Sequence, residues 1–229
     1  MLNRFKELAY PGKCVFCRCL LEDHQTDLCA QCRQDAPVHP GGKFKLSFIA
    51  RWTAVWYYKD AARRSIMRYK FGSRPHYAPF FGRQLAMRIR NDRLDDFDVL
   101  TYVPASLLRK LRRRFQQVRY LAEHVARELG VSVVPVLKKT RHTQPQHRLR
   151  TADQRRANIL GAFRVTDPEQ IRGKRVLLID DILTTGATAS ECARVLLTAG
   201  AAEVTVACLA AAAHNETKEK PSPRKDLCR

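Results

Sequence analysis

The 229-residue sequence predicts an α/β domain with a mostly parallel sheet flanked by helices, preceded by a small cysteine-rich element. Two observations predict the sheet. Apolar, β-branched runs alternate with helical patterns, and one such run, in 175–188, ends in two adjacent aspartates and a polar turn. A third observation, paired Cys-x-x-Cys motifs, sets the N-terminus apart. We therefore expect residues 1–42 to form the cysteine-rich element and a linker, 43–212 the α/β domain with its core at 97–211, and 213–229 a polar, disordered tail.

The first half of the α/β domain shows two strand patterns and three helix patterns. Residues 51–58 are aromatic and β-branched, and 97–103 form an apolar run that ends at Pro104; both patterns are typical of strands. Helices are predicted at 60–70, where Asp60 is the expected cap, at 80–91, and along an apolar stripe from 107 to 129. The other face of this last helix carries a run of six cations with no acid among them, which favours an anionic partner: Arg109, Lys110, Arg112, Arg113, Arg114 and Arg119.

The second half alternates more regularly. Strands are expected at 133–137, 161–165, 175–179 and 203–209, with helices at 152–160 and at 186–199, the latter ended by Gly200. The basic stretch 138–150 has almost no apolar residues and is predicted to be a long mobile loop, a lid over a phosphorylated ligand.

A short basic-aromatic segment, Tyr69-Lys-Phe-Gly72, has two interpretations. It could contact a base or a ribose, or it could end a helix whose long side chains extend along apolar surface to reach water. We favour the helix end.

Two Cys-x-x-Cys pairs, Cys14/Cys17 and Cys29/Cys32, are separated by eleven residues. Four thiolates in two such knuckles predict a closed, structural zinc site, although reduced cysteines without metal are the alternative. Cys19 lies beside the first pair and could replace one ligand.

Composition limits the functional class. The sequence has no apolar run long enough to span a membrane and no signal-peptide pattern, so a cytoplasmic protein without membrane insertion is expected. A formal charge of +20 favours a polyanionic partner, either nucleic acid or a phosphate-rich small molecule. An oligomer is compatible with the sequence.

The segment 175–188 carries the chemistry. Asp180 and Asp181 are expected at the carboxyl end of a parallel strand, where ligands bind, and two adjacent carboxylates need sugar hydroxyls, Mg²⁺ or both as partners. The next residues, Thr184, Thr185, Gly186, Ala187 and Thr188, offer hydroxyls and backbone N–H groups at a helix N-terminus, which suits a phosphate. The alternative, a threonine-capped helix with solvent-facing aspartates, explains only half of the pattern.

Residues 179–188 resemble the PRPP-binding motif of type I phosphoribosyltransferases. The resemblance implies that Asp180 and Asp181 hold the ribose hydroxyls and that the following loop holds the 5′-phosphate. It also implies a pyrophosphate loop at Pro104, Ala105 and Ser106 and a lid that begins at Lys138.

More narrowly, the chain resembles the ComF/GntX family over most of its length. The marks are Thr143-Gln-Pro-Gln146 with Leu149, followed by Arg155, Asn158 and Gly161-Ala-Phe163. A second family motif corresponds to Arg113-Arg-Phe-Gln-Gln117, in which Arg114 and Gln116 replace the family's glycine and asparagine. Hypoxanthine-type relatives usually place an aspartate where Thr184 stands, so the resemblance argues against simple purine salvage.

The resemblance implies Mg²⁺-dependent transfer of ribose 5-phosphate from PRPP to an unknown acceptor, a glycosyltransferase reaction in nucleotide or nucleoside metabolism or in DNA utilisation. Arg113, Lys138, Lys139 and Arg141 are expected to contact the developing charge. Two other interpretations stay open. The first is a non-catalytic DNA-handling, competence-type protein that retains the phosphate site and binds single-stranded DNA or a DNA-uptake protein. The second is a regulator that senses PRPP.

Overall fold

The computed structural model describes residues 12–42, 44–72, 74–105, 116–141, 143 and 151–213. Within these residues lies a four-stranded, all-parallel sheet in the order β1-β6-β5-β2, with strands at Arg51–Tyr57 (β1), Val99–Tyr102 (β2), Arg175–Leu183 (β5) and Glu203–Ala211 (β6). Two short strands, Leu137–Lys139 (β3) and Phe163–Val165 (β4), pair antiparallel in a separate small sheet. The predicted mostly parallel α/β class is confirmed.

Six α-helices connect the strands in the part of the chain that is described: Ala30–Gln34 (α1), Asp60–Phe71 (α2), Ala78–Asn91 (α3), Gln117–Leu129 (α4), Ala152–Ile159 (α5) and Ala187–Thr198 (α6). Two 3₁₀ turns lie at Pro75–Tyr77 and Pro168–Gln170. Helix α5 begins with a capping box in which Thr151 and Gln154 satisfy each other's backbone N–H groups. Helix α4 ends at Gly130, whose φ of 74° gives the left-handed conformation of a helix C-terminus.

Side chains of alternate strand residues point to opposite faces of the sheet, and a separate core covers each face. On one face Leu177, Ile179 and Leu209 pack against α3 and α4. On the other face Val176 and Leu178 belong to a second core, which also contains residues of α6 and of the small β3–β4 sheet. The sheet is therefore buried on both sides, as a parallel sheet requires.

Three details differ from the sequence expectations. The strand predicted at 133–137 is wrong: Val133 forms only an isolated bridge with Leu100, and regular pairing starts at Leu137, opposite Val165. Lys138 and Lys139, assigned to the loop, therefore lie in a strand. Helix α2 is not capped by Asp60, because Lys59 occupies the cap position and makes no side-chain cap hydrogen bond. Strand β5 continues past residue 179 to Leu183.

No helix among the described residues is both long enough and apolar enough to cross a bilayer.

Candidate functional site

Asp180 and Asp181 lie where β5 extends beyond the end of its neighbour β2. Pairing with β2 ends at Tyr102 opposite Ile179, whereas pairing with β6 continues through Asp180, opposite Cys208, to Leu183. The two aspartates therefore stand at the carboxyl-end edge of the sheet, the usual ligand-binding edge of a parallel sheet. Both are buried, with 7% and 6% of their surfaces exposed.

Strand alternation separates the two carboxyl groups. Asp180 lies on the face of Val176 and Leu178, and its Oδ1 accepts a hydrogen bond of 2.8 Å from the backbone N–H of Asp181. Burial and the neighbouring Asp181 charge raise the pKa of Asp180 to about 7, against the opposing influence of Lys70. Near neutral pH this carboxyl group can therefore gain or lose a proton as its surroundings change.

Asp181 faces the other side and meets Lys70 at the end of α2. The Lys70 ammonium lies 2.9 Å from Oδ1 and 2.7 Å from Oδ2 of Asp181. The interpretation of Tyr69 to Gly72 as a helix end describes this segment only in part. Tyr69 is fully buried, but Lys70 reaches the acid pair, 111 residues away in the chain. The only sequence signal for this contact was the basic-aromatic pattern itself.

A pocket of about 250 Å³, which includes open solvent, is lined by Asp180 and the residues from Ile182 to Ala189. Gly186 caps α6 with a φ of 74°, a left-handed conformation that favours glycine. A Cβ on Gly186 would lie 2.5 Å from Cδ2 of Leu46, so the turn is also tightly covered. The loop of Thr184 to Thr188 thus forms a narrow polar turn at a helix N-terminus, a geometry that suits an anionic group.

Of the remaining predicted site residues, Pro104 and Ala105 directly follow β2, at the same edge of the sheet as the acid pair. Ser106 and Arg113 lie outside the described residues. Lys138 is exposed on β3. Arg141 donates to the carbonyl oxygens of Asn158 and Leu160, at 3.1 and 2.8 Å, which holds it against the end of α5 rather than at the acid pair.

Lys139 points back into the protein. Its ammonium donates to Thr143 Oγ1 at 2.6 Å and lies 5.3 Å from the centre of the Phe163 ring. The start of the predicted lid, including Thr143 from the family mark, is therefore anchored on the small β3–β4 sheet. Residue 142 and residues 144–150 of that stretch lie outside the described residues.

The four predicted metal ligands come together. One thiol sulfur from each of Cys14, Cys17, Cys29 and Cys32 lies within 4.8 Å of the others, and Cys19 is not part of this group. The sulfurs of Cys17 and Cys29 are 3.7 Å apart. A tetrahedral zinc ion with Zn–S bonds of about 2.3 Å requires sulfurs about 3.8 Å apart, so the donor set fits zinc. Burial raises the pKa of the Cys14 thiol, but backbone hydrogen bonds outweigh it and bring the value to about 7.

Comparison with known proteins finds a matching domain family and curated relatives. A model of the phosphoribosyl transferase domain matches residues 119–227. The chain is 31% identical over 225 residues to the DNA utilization protein YhgH of Salmonella typhimurium, covering 88% of this chain and 98% of that protein. It is 26% identical over 217 residues to Competence protein F of Haemophilus influenzae, covering 85% and 94%.

Among solved structures, glutamine phosphoribosylpyrophosphate amidotransferase from B. subtilis matches with a TM-score of 0.44 and 24% identity. The match covers 62% of this chain and only 30% of that enzyme's chain.

The parallel sheet, the acid pair at its carboxyl-end edge and the matched domain define a protein with a phosphoribosyltransferase fold. The chain belongs to the ComF/GntX family, since the Salmonella relative is 31% identical to it over 88% of its length.

Proposed function

We propose that this protein binds PRPP and transfers its ribose 5-phosphate to an acceptor, releasing pyrophosphate. The observation that carries the proposal is the position of two buried carboxylates beside a narrow polar turn at a helix N-terminus, at one edge of a parallel sheet. A phosphorylated sugar satisfies both at once. Its hydroxyls give the carboxylates hydrogen-bond donors, and its phosphate accepts from the backbone N–H groups of the turn.

We assign the binding roles to residues at this edge of the sheet. Asp180 and Asp181 would receive the ribose hydroxyls, and Thr184 to Thr188 would surround the 5′-phosphate. Pro104 and Ala105, at the end of β2, would lie under the diphosphate. Oxygen ligands from carboxylates suit Mg²⁺, which would supply positive charge to the diphosphate as it leaves.

In the reaction, the bond from the ribose anomeric carbon to the diphosphate oxygen breaks, and a bond to a nucleophilic atom of the acceptor forms. The protein would hold the two reactants in line and stabilise the charge that develops on the diphosphate. Lys138 and Arg141 lie at the start of the basic stretch. These two residues, with Arg113 as a third cation, would supply positive charge to the leaving group when the substrate is bound.

The cysteine cluster would hold a structural zinc ion. The four thiolates would fill all four positions of a tetrahedron, so no position would be left for water or substrate. This site would stabilise the N-terminal element and take no part in the transfer.

A second candidate function is DNA handling. The relatives are named as DNA utilization and competence proteins, and the chain carries a net charge of +20. Arg63 and Arg64 are exposed on α2. A protein of this kind would bind single-stranded DNA through its cations, with or without transfer activity, or would act beside a DNA-uptake protein.

The transferase proposal is tested with labelled PRPP and Mg²⁺ against a panel of nucleobases and amines, with pyrophosphate release as the readout. We expect release that depends on one acceptor class and falls at least about 100-fold in Asp181→Asn, because the amide can no longer accept two hydroxyl hydrogen bonds as an anion. PRPP binding without turnover on any acceptor would overturn the transferase assignment and favour the DNA-handling candidate.

A further inference from the structure

Lys70 contacts the acid pair from a part of the chain that the phosphoribosyl transferase domain match does not include. That match begins at residue 119, whereas Lys70 lies in the last turn of helix α2, far earlier in the sequence. The ammonium is within 2.9 Å of both carboxylate oxygens of Asp181, and 24% of its side chain is exposed. It therefore lies at the rim of the site, between the buried carboxylate and solvent.

Two hydrogen bonds, one to the Lys70 backbone and one from the neighbouring Tyr69 side chain, tie the end of α2 to Gln117 of α4. Gln117 donates its side-chain amide to the Lys70 carbonyl oxygen at 2.9 Å, and the Tyr69 hydroxyl donates to the Gln117 carbonyl oxygen at 2.6 Å. Tyr69 is fully buried and Gln117 is 6% exposed. The base of the Lys70 side chain therefore has a defined position, while its partly exposed ammonium can move.

The same helix is tied to the cysteine cluster. One Arg68 nitrogen, Nη2, donates to the carbonyl oxygens of Val15 and Phe16, both at 2.7 Å. These carbonyl groups lie between the ligands Cys14 and Cys17. Arg68 thus ties the end of α2 to the first cysteine pair, Cys14 to Cys17, which we call the cysteine knuckle. Two residues later, Lys70 contacts Asp181.

Charge explains why such a lysine is useful. Two adjacent carboxylates repel a ligand that carries several phosphate charges, and an ammonium beside them offsets this repulsion. When ribose hydroxyls approach Asp181 they compete with Lys70 for the same oxygens. A flexible lysine at the rim can then turn to a phosphate group of the incoming ligand without losing a charged partner.

We propose that Lys70 is a ligand-binding residue of this site, which exchanges Asp181 for the diphosphate of the bound sugar, and that Arg68 positions it from the cysteine knuckle. The inference rests on the proposed PRPP site and adds a binding residue contributed by the N-terminal part of the chain.

The test is calorimetric titration of the full-length protein with PRPP and, separately, with ribose 5-phosphate, both with Mg²⁺. Loss of a charged hydrogen bond predicts that Lys70→Met binds PRPP about 10- to 100-fold more weakly. Ribose 5-phosphate has no diphosphate, so its affinity should change less than about threefold. Lys70→Arg should recover most of the PRPP affinity. Lys174→Met, which removes one exposed ammonium just before the opposite, amino end of β5, should match the wild type.

Each other outcome is decisive. PRPP affinity unchanged in Lys70→Met overturns this inference alone, and so does an equal loss for both ligands, which would mean that Lys70 only maintains the fold. Arg68→Met should lower the ratio of PRPP to ribose 5-phosphate affinity in the same direction; an unchanged ratio would remove the positioning role of the knuckle. A wild type that binds neither ligand overturns the proposed function and this inference with it.

Discussion

Replacing Asp180 by asparagine should change how the stability of the protein depends on pH. The carboxyl group is buried beside Asp181, and its pKa is raised from 3.8 to about 7. Asparagine has nearly the same shape, and its side-chain oxygen can still accept the hydrogen bond from the Asp181 N–H. The substitution therefore removes the titration while it keeps the local geometry.

The direction of the pH dependence follows from which state, folded or unfolded, binds the Asp180 proton more tightly. The folded protein holds the Asp180 proton with a pKa of about 7, whereas the unfolded chain releases it near 3.8. The stabilising contribution is fully present below the unfolded value and is lost as pH rises through the folded value. A shift of about three units corresponds to about 4 kcal/mol, spread over the range between the two pKa values.

Urea denaturation of the wild type and Asp180→Asn at pH 5, 6, 7 and 8 measures this contribution. The free energy of unfolding of the wild type, minus that of the variant, should fall by about 1.4 kcal/mol per pH unit between pH 5 and 6 and level off above pH 7. Taking the difference cancels the titration of groups that the two proteins share, the cysteine ligands included. Asp153→Asn, which alters a carboxyl group whose side chain is 91% exposed, is the matched control and should show a flat difference.

A difference between the wild type and Asp180→Asn that stays constant from pH 5 to pH 8 would refute the reasoning. It would mean that the Asp180 carboxyl group is either well hydrated or permanently paired in the folded protein.

Three further predictions concern the turn, the cysteine cluster and the surface charge. Gly186→Ala should lower the free energy of unfolding in urea by about 1–2 kcal/mol more than Gly130→Ala. Both glycines have a φ of 74°, but of the two only Gly186 has an atom within 4 Å of the position that a Cβ would take. Equal losses would contradict the close packing of Leu46. Metal analysis should find about one zinc per chain, lost in Cys29→Ser and kept in Cys192→Ala; zinc retained by Cys29→Ser would contradict the ligand set. Single-stranded DNA affinity should fall steeply with salt and weaken when Arg63 and Arg64 are neutralised; salt-independent affinity would exclude the DNA-handling candidate.

The parts of the site that are contiguous in the chain could be predicted from the sequence. The acid pair, the polar turn and the start of the following helix all lie within 179–188, so local pattern and strand–helix alternation suffice to place them at one sheet edge. The clustering of the four cysteines could also be predicted, because the spacing of two Cys-x-x-Cys pairs already limits how they can meet.

Contacts between distant segments could not be predicted in this way. Lys70 lies 111 residues from Asp181, and hydrogen bonds from the end of α2 to α4 and to the Cys14–Cys17 knuckle hold it at the site. The knuckle itself is part of the main core, since the Phe16 ring lies 5.3 Å from Trp56 and 6.2 Å from Phe80. The strand misplaced at 133–137 shows a related limit. Val136 and Leu137 are buried while Val133 and Val134 are half-buried, and the hydrogen-bonded pairing that defines a strand begins only at Leu137.

The central claim, a PRPP site at the carboxyl-end edge of the sheet, is tested most directly by a crystal structure of the protein with PRPP and Mg²⁺. The account predicts the 5′-phosphate on the backbone N–H groups of Thr184 to Thr188 and the ribose hydroxyls within hydrogen-bond distance of Asp180 and Asp181. PRPP bound elsewhere would contradict the account. So would a Lys70–Asp181 ion pair that remains intact at saturating PRPP.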